Sequence, residues 1–333
     1  MLDNVTSNIE IRSPNEVMKL DRLGVAFPTR LSFSRRLIRL MHRENWKIYK
    51  KTFNLNREGF GIATYEVATP SRFYTLICFS HYLSPENRTD RVIANQWDAT
   101  FVLFDGVPNK DDIQRCLMAV EKQAHNSSFE IIAIDNGSTD GTGDYLEELA
   151  CSRANVTVIH CDHVLGDAAA KNIGIKLSTG KYIIILDASA ELTGDICSIV
   201  SNSFASNTNL GLLGPFGLKS DDMQHFHEEV ESGPADAMQG YCMIFPRNII
   251  QRTGLMRECF RFYRNLDIDY SFQIKDLKME VIADGRLPIV RHEHRQWTEL
   301  DENQRDELSV KNFGRFLKKW GNRHDLLEAS HSN

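Results

Sequence analysis

No purely apolar run in this 333-residue chain exceeds the five residues 182–186. A helix crossing a bilayer needs about 20, so no such span is expected. The opening Met1-Leu2-Asp3-Asn4-Val5-Thr6 lacks the basic and apolar regions of a secretory signal. The seven cysteines (78, 116, 151, 161, 197, 242, 259) form no C-x-x-C pair and are odd in number. They point to reduced, buried thiols of a cytoplasmic protein rather than to a disulfide scaffold. Neither a G-x-x-x-x-G-K-[ST] loop nor a G-x-G-x-x-G turn after the first α/β strand is present, which argues against a P-loop NTPase and an NAD-type Rossmann enzyme. Repeats and low-complexity tracts are absent too. With 42% hydrophobic and 25% charged residues, the composition excludes collagen, coiled coil and wholesale disorder.

Positive charge is scarce outside one segment. The formal net charge is −6, yet residues 29–51 hold eight Lys/Arg against one acid, Glu44, leaving −13 for the rest. An acidic body is a poor general binder of nucleic acid, because that affinity comes from neutralising phosphates. Within the basic segment, Arg35, Arg39, Arg43, Lys47 and Lys51 recur every four residues, while Phe33, Leu37, Leu40, Met41 and Ile48 fall near another face. That spacing predicts a helix. Two roles stay open: peripheral contact with anionic lipid at the inner face of a membrane or with an acidic partner, and an ordinary solvated face of a helix packed on the main domain. Residues 1–95 otherwise read as a small N-terminal α+β extension of unknown role. Helical spacing falls at 16–23 and 32–50, strand-like runs at 61–67 and 73–79, and a polar linker at 84–91.

From about residue 98 the pattern becomes one of alternating strands and helices. Strands are predicted at 101–104, 129–134, 156–159 and 182–186, and helices at 111–122, 142–151 and 167–177, the last capped by Gly180. Continuous apolar strands separated by helices of about ten residues imply a mostly parallel sheet covered on both faces. Ligands of such sheets sit beyond the carboxyl ends of the strands. Three of those ends carry acids: Asp105, Asp135 and Asp187.

Several motifs follow. In Asp135-Asn136-Gly137-Ser138-Thr139-Asp140-Gly141-Thr142, the glycines permit tight turns and close approach of a ligand. Ser138 or Thr139 can cap the next helix, and Asp135 can accept hydrogen bonds from a base edge. The loop also carries oxygen-bearing residues at calcium-loop spacing, but a strand precedes it where an EF-hand has a helix. A plain strand-to-helix turn is the alternative reading. In Gly166-Asp167-Ala168-Ala169-Ala170-Lys171-Asn172, Lys171 sits one turn into a helix, where charge and dipole can both meet a diphosphate; an Ala-rich helix chosen for propensity is the alternative. Asp187 ends the central strand, where a carboxylate can bind a divalent ion carrying substrate phosphates. Asp267 and Asp269 cannot share one helix face; at a helix start one can cap it while the other enters a cleft as a base, and capping by both is the alternative. On a strand, His292 and His294 would face the same way, which suits a metal or a phosphate.

Taken in order, the Asp-Asn-Gly-Ser-Thr-Asp-Gly-Thr turn, Ala-Ala-Ala-Lys-Asn-Ile-Gly, Gly-Lys-Tyr-Ile-Ile-Ile-Leu-Asp, Gly240-Tyr241-Cys242-Met243-Ile244-Phe245-Pro246-Arg247, Asp-Ile-Asp and a late His resemble family 2 glycosyltransferases. The resemblance covers residues 98–320 and leaves the N-terminal third outside. It implies an α/β GT-A fold, a Rossmann-like mostly parallel sheet with helices on both faces, over about 96–325. It also implies an inverting transfer from a nucleoside-diphosphate sugar to a hydroxyl of a glycan, lipid-linked or surface-polysaccharide precursor. By the same resemblance, Asp105, Gly106, Asp135, Gly137, Ser138, Lys171, Asn172 and Asp187 bind the nucleotide sugar. Asp267 is the catalytic base, with Asp269 its near neighbour. The resemblance also implies a divalent cation (Mn²⁺ or Mg²⁺) at Asp187, with Ser189 at the last position of the motif and His292 or His294 as the late histidine that completes the site. The family's D-x-D motif reads Asp187-Ala188-Ser189 here, and a neutral hydroxyl is a weaker ligand than a carboxylate for a hard ion. Glu191 is a candidate substitute for the missing acid. Two rival readings follow from Ser189 and the basic segment: a degenerate domain that binds nucleotide sugar without transfer, and a peripheral adaptor.

Overall fold

The computed structural model describes residues 9–11, 47–55, 61–68, 73–80, 97–104, 109–124, 127–161, 164–226 and 228–328. The chain divides into two compact units, one of residues 1–91 with 159–164 and one of residues 92–158 with 165–333.

In the first unit, β1 (Ile9–Ile11), β2 (Lys47–Leu55), β3 (Gly61–Ala68) and β4 (Phe73–Ser80) form an antiparallel sheet in sequence order. The two strands expected from sequence are both there. The basic helix is corrected at its end: residues 47–51 belong to β2, so Lys47 and Lys51 leave the predicted helical stripe. The reason is tertiary. Ile48 pairs with both Ile11 and Val67 across a sheet, and Ile, Tyr, Thr and Phe suit a pleated surface better than a helix. The predicted linker, the helix at 16–23 and the rest of the basic segment lie outside the described residues.

The second unit is built on a sheet of eight strands. Its strands and their neighbours are β5 (Trp97–Phe104), β6 (Phe129–Asp135), β7 (Val156–His160), β8 (Gly180–Asp187), β9 (Ala190–Leu192), β10 (Leu210–Gly214), β11 (Gly217–Lys219), β12 (Glu228–Val230), β13 (Ser232–Pro234), β14 (Ala237–Met238), β15 (Cys242–Pro246), β16 (Glu280–Asp284) and β17 (Ile289–Arg291). The large sheet runs β13-β16-β10-β15-β8-β5-β6-β7. The β8–β5–β6 centre and the β10–β16 pair are parallel, while β15 and β13 run antiparallel to their partners.

Alternate residues of the central strands feed two cores, which is why these strands read as continuous apolar runs. Phe101, Leu103, Ile184 and Leu186 pack with α1 (Lys110–Gln123), α2 (Thr142–Ser152) and α4 (Ile196–Ser206). Val102, Ile183 and Ile185 pack on the other side with α3 (Asp167–Leu177), α5 (Leu266–Asp276) and α6 (Glu302–Trp320). Close approach of α3 to the sheet depends on Gly174, where an added Cβ would sit 2.3 Å from Val102 Cγ1. Gly180 does not cap α3 as expected; Ser178 does, and Gly180 opens β8, where a Cβ would lie 2.5 Å from the backbone of Ala99 and Thr100. The expectation of uniformly buried thiols is corrected as well: Cys116, Cys161, Cys197 and Cys242 are buried, but Cys151 and Cys259 are exposed. Among the described residues no helix is long and apolar enough to cross a membrane.

Candidate active site

The site starts from the end of β8. Asp187 pairs in register with Phe104 and is buried there. Its backbone N–H donates to the Tyr241 carbonyl (3.0 Å), and its Oδ1 accepts from the backbone and hydroxyl of Ser189. Its Oδ2 lies 3.4 Å from His294 Nε2. Burial alone would raise its pKa. The positive charge and hydrogen bond of His294, with Lys171 and Ser189, outweigh that and hold the carboxyl far below the usual carboxylate range. The same pairing raises the His294 pKa against the opposing pull of burial.

His294 arrives from the far end of the chain. β17 pairs antiparallel with β9, setting Val290 opposite Glu191, and the His292 N–H donates to the Ser189 carbonyl (2.7 Å). The strand stops at Arg291, so the two histidines diverge. His292 Nε2 meets Glu191 at 2.7 Å while His294 turns toward Asp187. Three consecutive side chains then fasten this segment. His294 stacks on Tyr263 with ring centroids 4.0 Å apart, Arg295 Nε donates to Asp112 (2.6 Å), and Gln296 Nε2 donates to the buried Asp167 (2.9 Å). Asp167 also faces Lys171 Nζ at 3.4 Å, and burial pushes its pKa up despite both partners.

Asp267 enters from the first turn of α5, whose N-terminal residue Asn265 is held left-handed at φ 65°. The sequence predicts an acidic cap, but the N-cap position is Asn265, which makes no side-chain cap bond. Asp267 instead accepts from its neighbour Ile268 N (2.9 Å) and from Gly240 N (2.8 Å), a close approach in which a Cβ at 240 would lie 3.3 Å from Asp267 Oδ2. Burial raises the Asp267 pKa against these hydrogen bonds and the charge of Lys171. Asp267, Asp187, Lys171 and His294 line one cavity of about 800 Å³, together with Gly240, Tyr241, Tyr263, Arg264 and Trp297. A carboxylate raised by burial, a cation and a deeply ionised acid in one hollow can accept a proton, hold an anion and carry a metal ion.

Several expected site residues lie elsewhere. Asp269 is fully buried and does not line the cavity: Arg257 Nε and NH2 both bond it, and Trp320 Nε1 donates to it at 2.8 Å. One helical position beyond Ile268 turns it away from Asp267, so it anchors α6 rather than facing a substrate. Asn172 is occupied too. Its amide donates to the Met256 carbonyl (2.8 Å) and accepts from the Met256 N–H (3.0 Å), clamping a loop rather than a nucleotide. Asp135, with Gly137 at φ 80°, closes a tight turn in which Ser138 donates to Asp135 Oδ1 through backbone and hydroxyl. None of these three lines the cavity, and α2 receives its first-turn bond from Asp140 rather than from Ser138 or Thr139. Asp105 and Gly106 lie outside the described residues.

The implied metal fits half of its expected ligands. Asp187 and His294 face each other across the cavity wall, a carboxylate oxygen and an imidazole nitrogen that suit a divalent ion whose other ligands come from phosphates and water. Ser189 is spent on orienting Asp187, and His292 on Glu191, so neither belongs to the set. Among the described residues no group of three or more His, Cys, Asp or Glu is arranged around a single ion. Asp167, Gln296, Gly240 and Tyr263 were not among the predicted site residues; Asp167 left a signal in its i,i+4 spacing to Lys171, and Gly240 opens one of the ordered motifs.

Residues 108–245 match the family model described as Glycosyl transferase family 2. Glycosyltransferase AglE of Haloferax volcanii is 36% identical over 78 residues, 23% of this chain and 26% of that protein. A teichoic acid poly(glycerol phosphate) polymerase of Staphylococcus epidermidis is 28% identical over 181 residues, 50% of this chain and 24% of that protein. The chain thus spans about a quarter of the length of the curated relatives it matches. Two solved structures share its fold. GalNAc-T7 with UDP, GalNAc and Mn²⁺ has a TM-score of 0.55 at 15% identity, covering 71% of this chain and 50% of its own. The mannosyltransferase PcManGT of Pyrobaculum calidifontis with GDP-Man and Mn²⁺ has a TM-score of 0.51 at 17% identity, covering 69% and 67%.

Proposed function

We propose that the protein transfers a sugar from a nucleoside-diphosphate donor to an acceptor hydroxyl with inversion at the anomeric carbon, from the premise that residues 108–245 match the glycosyl transferase family 2 model and that the fold is of the GT-A type. One observation carries the proposal: a half-buried carboxylate of raised pKa, Asp267, shares a cavity with Lys171, Asp187 and His294. Proton acceptor and anion site therefore lie within one substrate's reach.

Asp267 takes the proton of the acceptor hydroxyl, whose oxygen attacks the anomeric carbon as the diphosphate departs from the opposite face. Gly240 and Ile268 N–H groups hold the carboxylate in one orientation for that transfer. Lys171 supplies a fixed positive charge for the departing phosphate, and Asp167 and the Phe104 ring keep its ammonium in place. Asp187 and His294 are the residues that would hold a divalent cation; when bound, it neutralises the leaving diphosphate. UDP and GDP-Man with Mn²⁺ in the two fold neighbours support a donor of this class and a metal.

The test is a donor panel of UDP-, GDP-, CMP- and dTDP-linked sugars, with and without Mn²⁺, on wild type and Asp267→Asn. A positioned base contributes about 10²–10⁴-fold. Turnover of the variant should fall by at least the lower figure while nucleotide binding is kept. Ser189 in place of the last acid motivates the second reading, binding without transfer. That reading gains if wild type binds a donor yet transfers to no acceptor and hydrolyses none.

A further inference from the structure

At the cavity wall, Trp297 carries two guanidinium groups. Arg264 Cζ lies 4.8 Å and Arg305 Cζ 4.5 Å from its ring centroid. Arg264 lines the cavity beside Asn265 and Ser309; Arg305 stands one turn earlier than Ser309 on α6. Among the described residues no carboxylate lies within 4 Å of either guanidinium, although the chain is acidic and the other arginines around the site are paired: Arg115, Arg257, Arg291 and Arg295 all meet acids. Arg305 Nε is buried, and no acceptor for it lies among the described residues. Two like charges gathered on one ring repel each other, and a buried donor without a partner costs free energy. An anion supplied by a ligand offsets both penalties, and the planar guanidinium fork matches the oxygens of a phosphate.

We propose that Arg264 and Arg305, aimed by Trp297, bind a phosphate group carried by the acceptor, so that the acceptor is a phosphate ester or phosphodiester with a free hydroxyl nearby. The assignment of this mouth to the acceptor rests on the function proposed above. The binding of the anion does not. Lys171, on the β8 side with Asp187, serves the donor; the arginines serve the second substrate.

The simplest probe with both groups is glycerol 3-phosphate, with glycerol as its neutral control and phosphatidylglycerol vesicles as the lipid-borne form. Binding of each to the full-length protein is measured calorimetrically with saturating UDP or GDP and Mn²⁺. Arg264→Gln, Arg305→Gln and Trp297→Phe are compared with wild type, and the exposed Arg264 guards against a folding artefact at Arg305. Wild type should bind glycerol 3-phosphate and not glycerol. Each arginine variant should bind it at least tenfold more weakly, with nucleotide affinity unchanged. Preference for vesicles over the soluble ester would assign the phosphate to a lipid headgroup, and the reverse to a soluble ester. Equal binding by wild type and both arginine variants, no binding at all, or a parallel loss of nucleotide affinity would overturn the proposal. Anion binding that follows the arginines in a protein that binds no donor would leave this site standing and remove the transferase reading instead.

Discussion

Asp267 and Asp269 differ by two positions and have opposite fates, and a pair of substitutions separates them. Asp269 is fully buried with Arg257 and Trp320 as partners. Removing one member of such a pair leaves a buried charge without compensation and costs about 3–5 kcal/mol. Asp269→Ala should therefore lower the urea midpoint strongly while the folded fraction keeps its turnover, the reverse of Asp267→Asn. The ionisation of Asp267 also sets a pH dependence. Its pKa is raised by burial, and only the ionised form accepts a proton. The acid limb of kcat/KM should then lie above the ordinary aspartate value of about 3.9, with activity falling as pH drops through it. For stability the signs divide. Asp187, held low, stabilises the fold above its unfolded pKa, and that contribution is lost as pH falls through its folded pKa. Asp167 and Asp267, held high, are favoured in the folded state while protonated, and that contribution fades as pH rises through their folded pKa values. A urea titration of Asp187→Asn between pH 3 and 7 should flatten the low-pH loss.

The helices and strands set the site by close approach. Gly174 lets α3 lie against Val102 of β5, and α3 carries Lys171 and Asp167. Gly174→Ala must displace either the helix or Val102, at about 1–3 kcal/mol for overpacking. A lower melting point together with weaker nucleotide binding is expected, since the helix moves Lys171 with it. Unchanged nucleotide affinity would mean that Lys171 does not serve the donor. Gly240 is the opposite case, packed against a functional oxygen rather than a core side chain. Gly240→Ala should leave the melting point within a few degrees and cut transfer, because the methyl crowds Asp267 Oδ2. The helix expected through residues 29–51 shows the limit of reading elements from spacing. A four-residue charge period continues through Lys47 and Lys51, yet the backbone there pairs with β1 and β3, and sheet pairing overrides a surface pattern.

At the scale of the whole molecule, a ligand that binds only the folded state stabilises it by mass action, by about 2.7 kcal/mol at a hundred times Kd, and so raises the melting point. A UDP or GDP sugar should do so more strongly with Mn²⁺ than without it. Asp187→Ala should abolish the difference between the two conditions; a persisting difference would move the metal off Asp187.

The run of apolar strands, the helix bounds around them and the acids at strand ends were all legible along the chain, because each depends on neighbours within a few residues. The helix at 167–177 and the strand ending at Asp187 came out where expected. What the chain alone left open was which acid faces a hollow. Asp135, Asn172, Asp269, Ser189 and His292 carry the right chemistry in the right order, yet each is held by a local turn or a distant partner. Tyr263 and Gln296 carried no local signal at all, since they act only where β17 pairs with β9 and returns His294 to β8. Side-chain identity is written residue by residue, whereas Asp187 and Asp167 are held by His294 and Gln296, contacts more than a hundred residues apart.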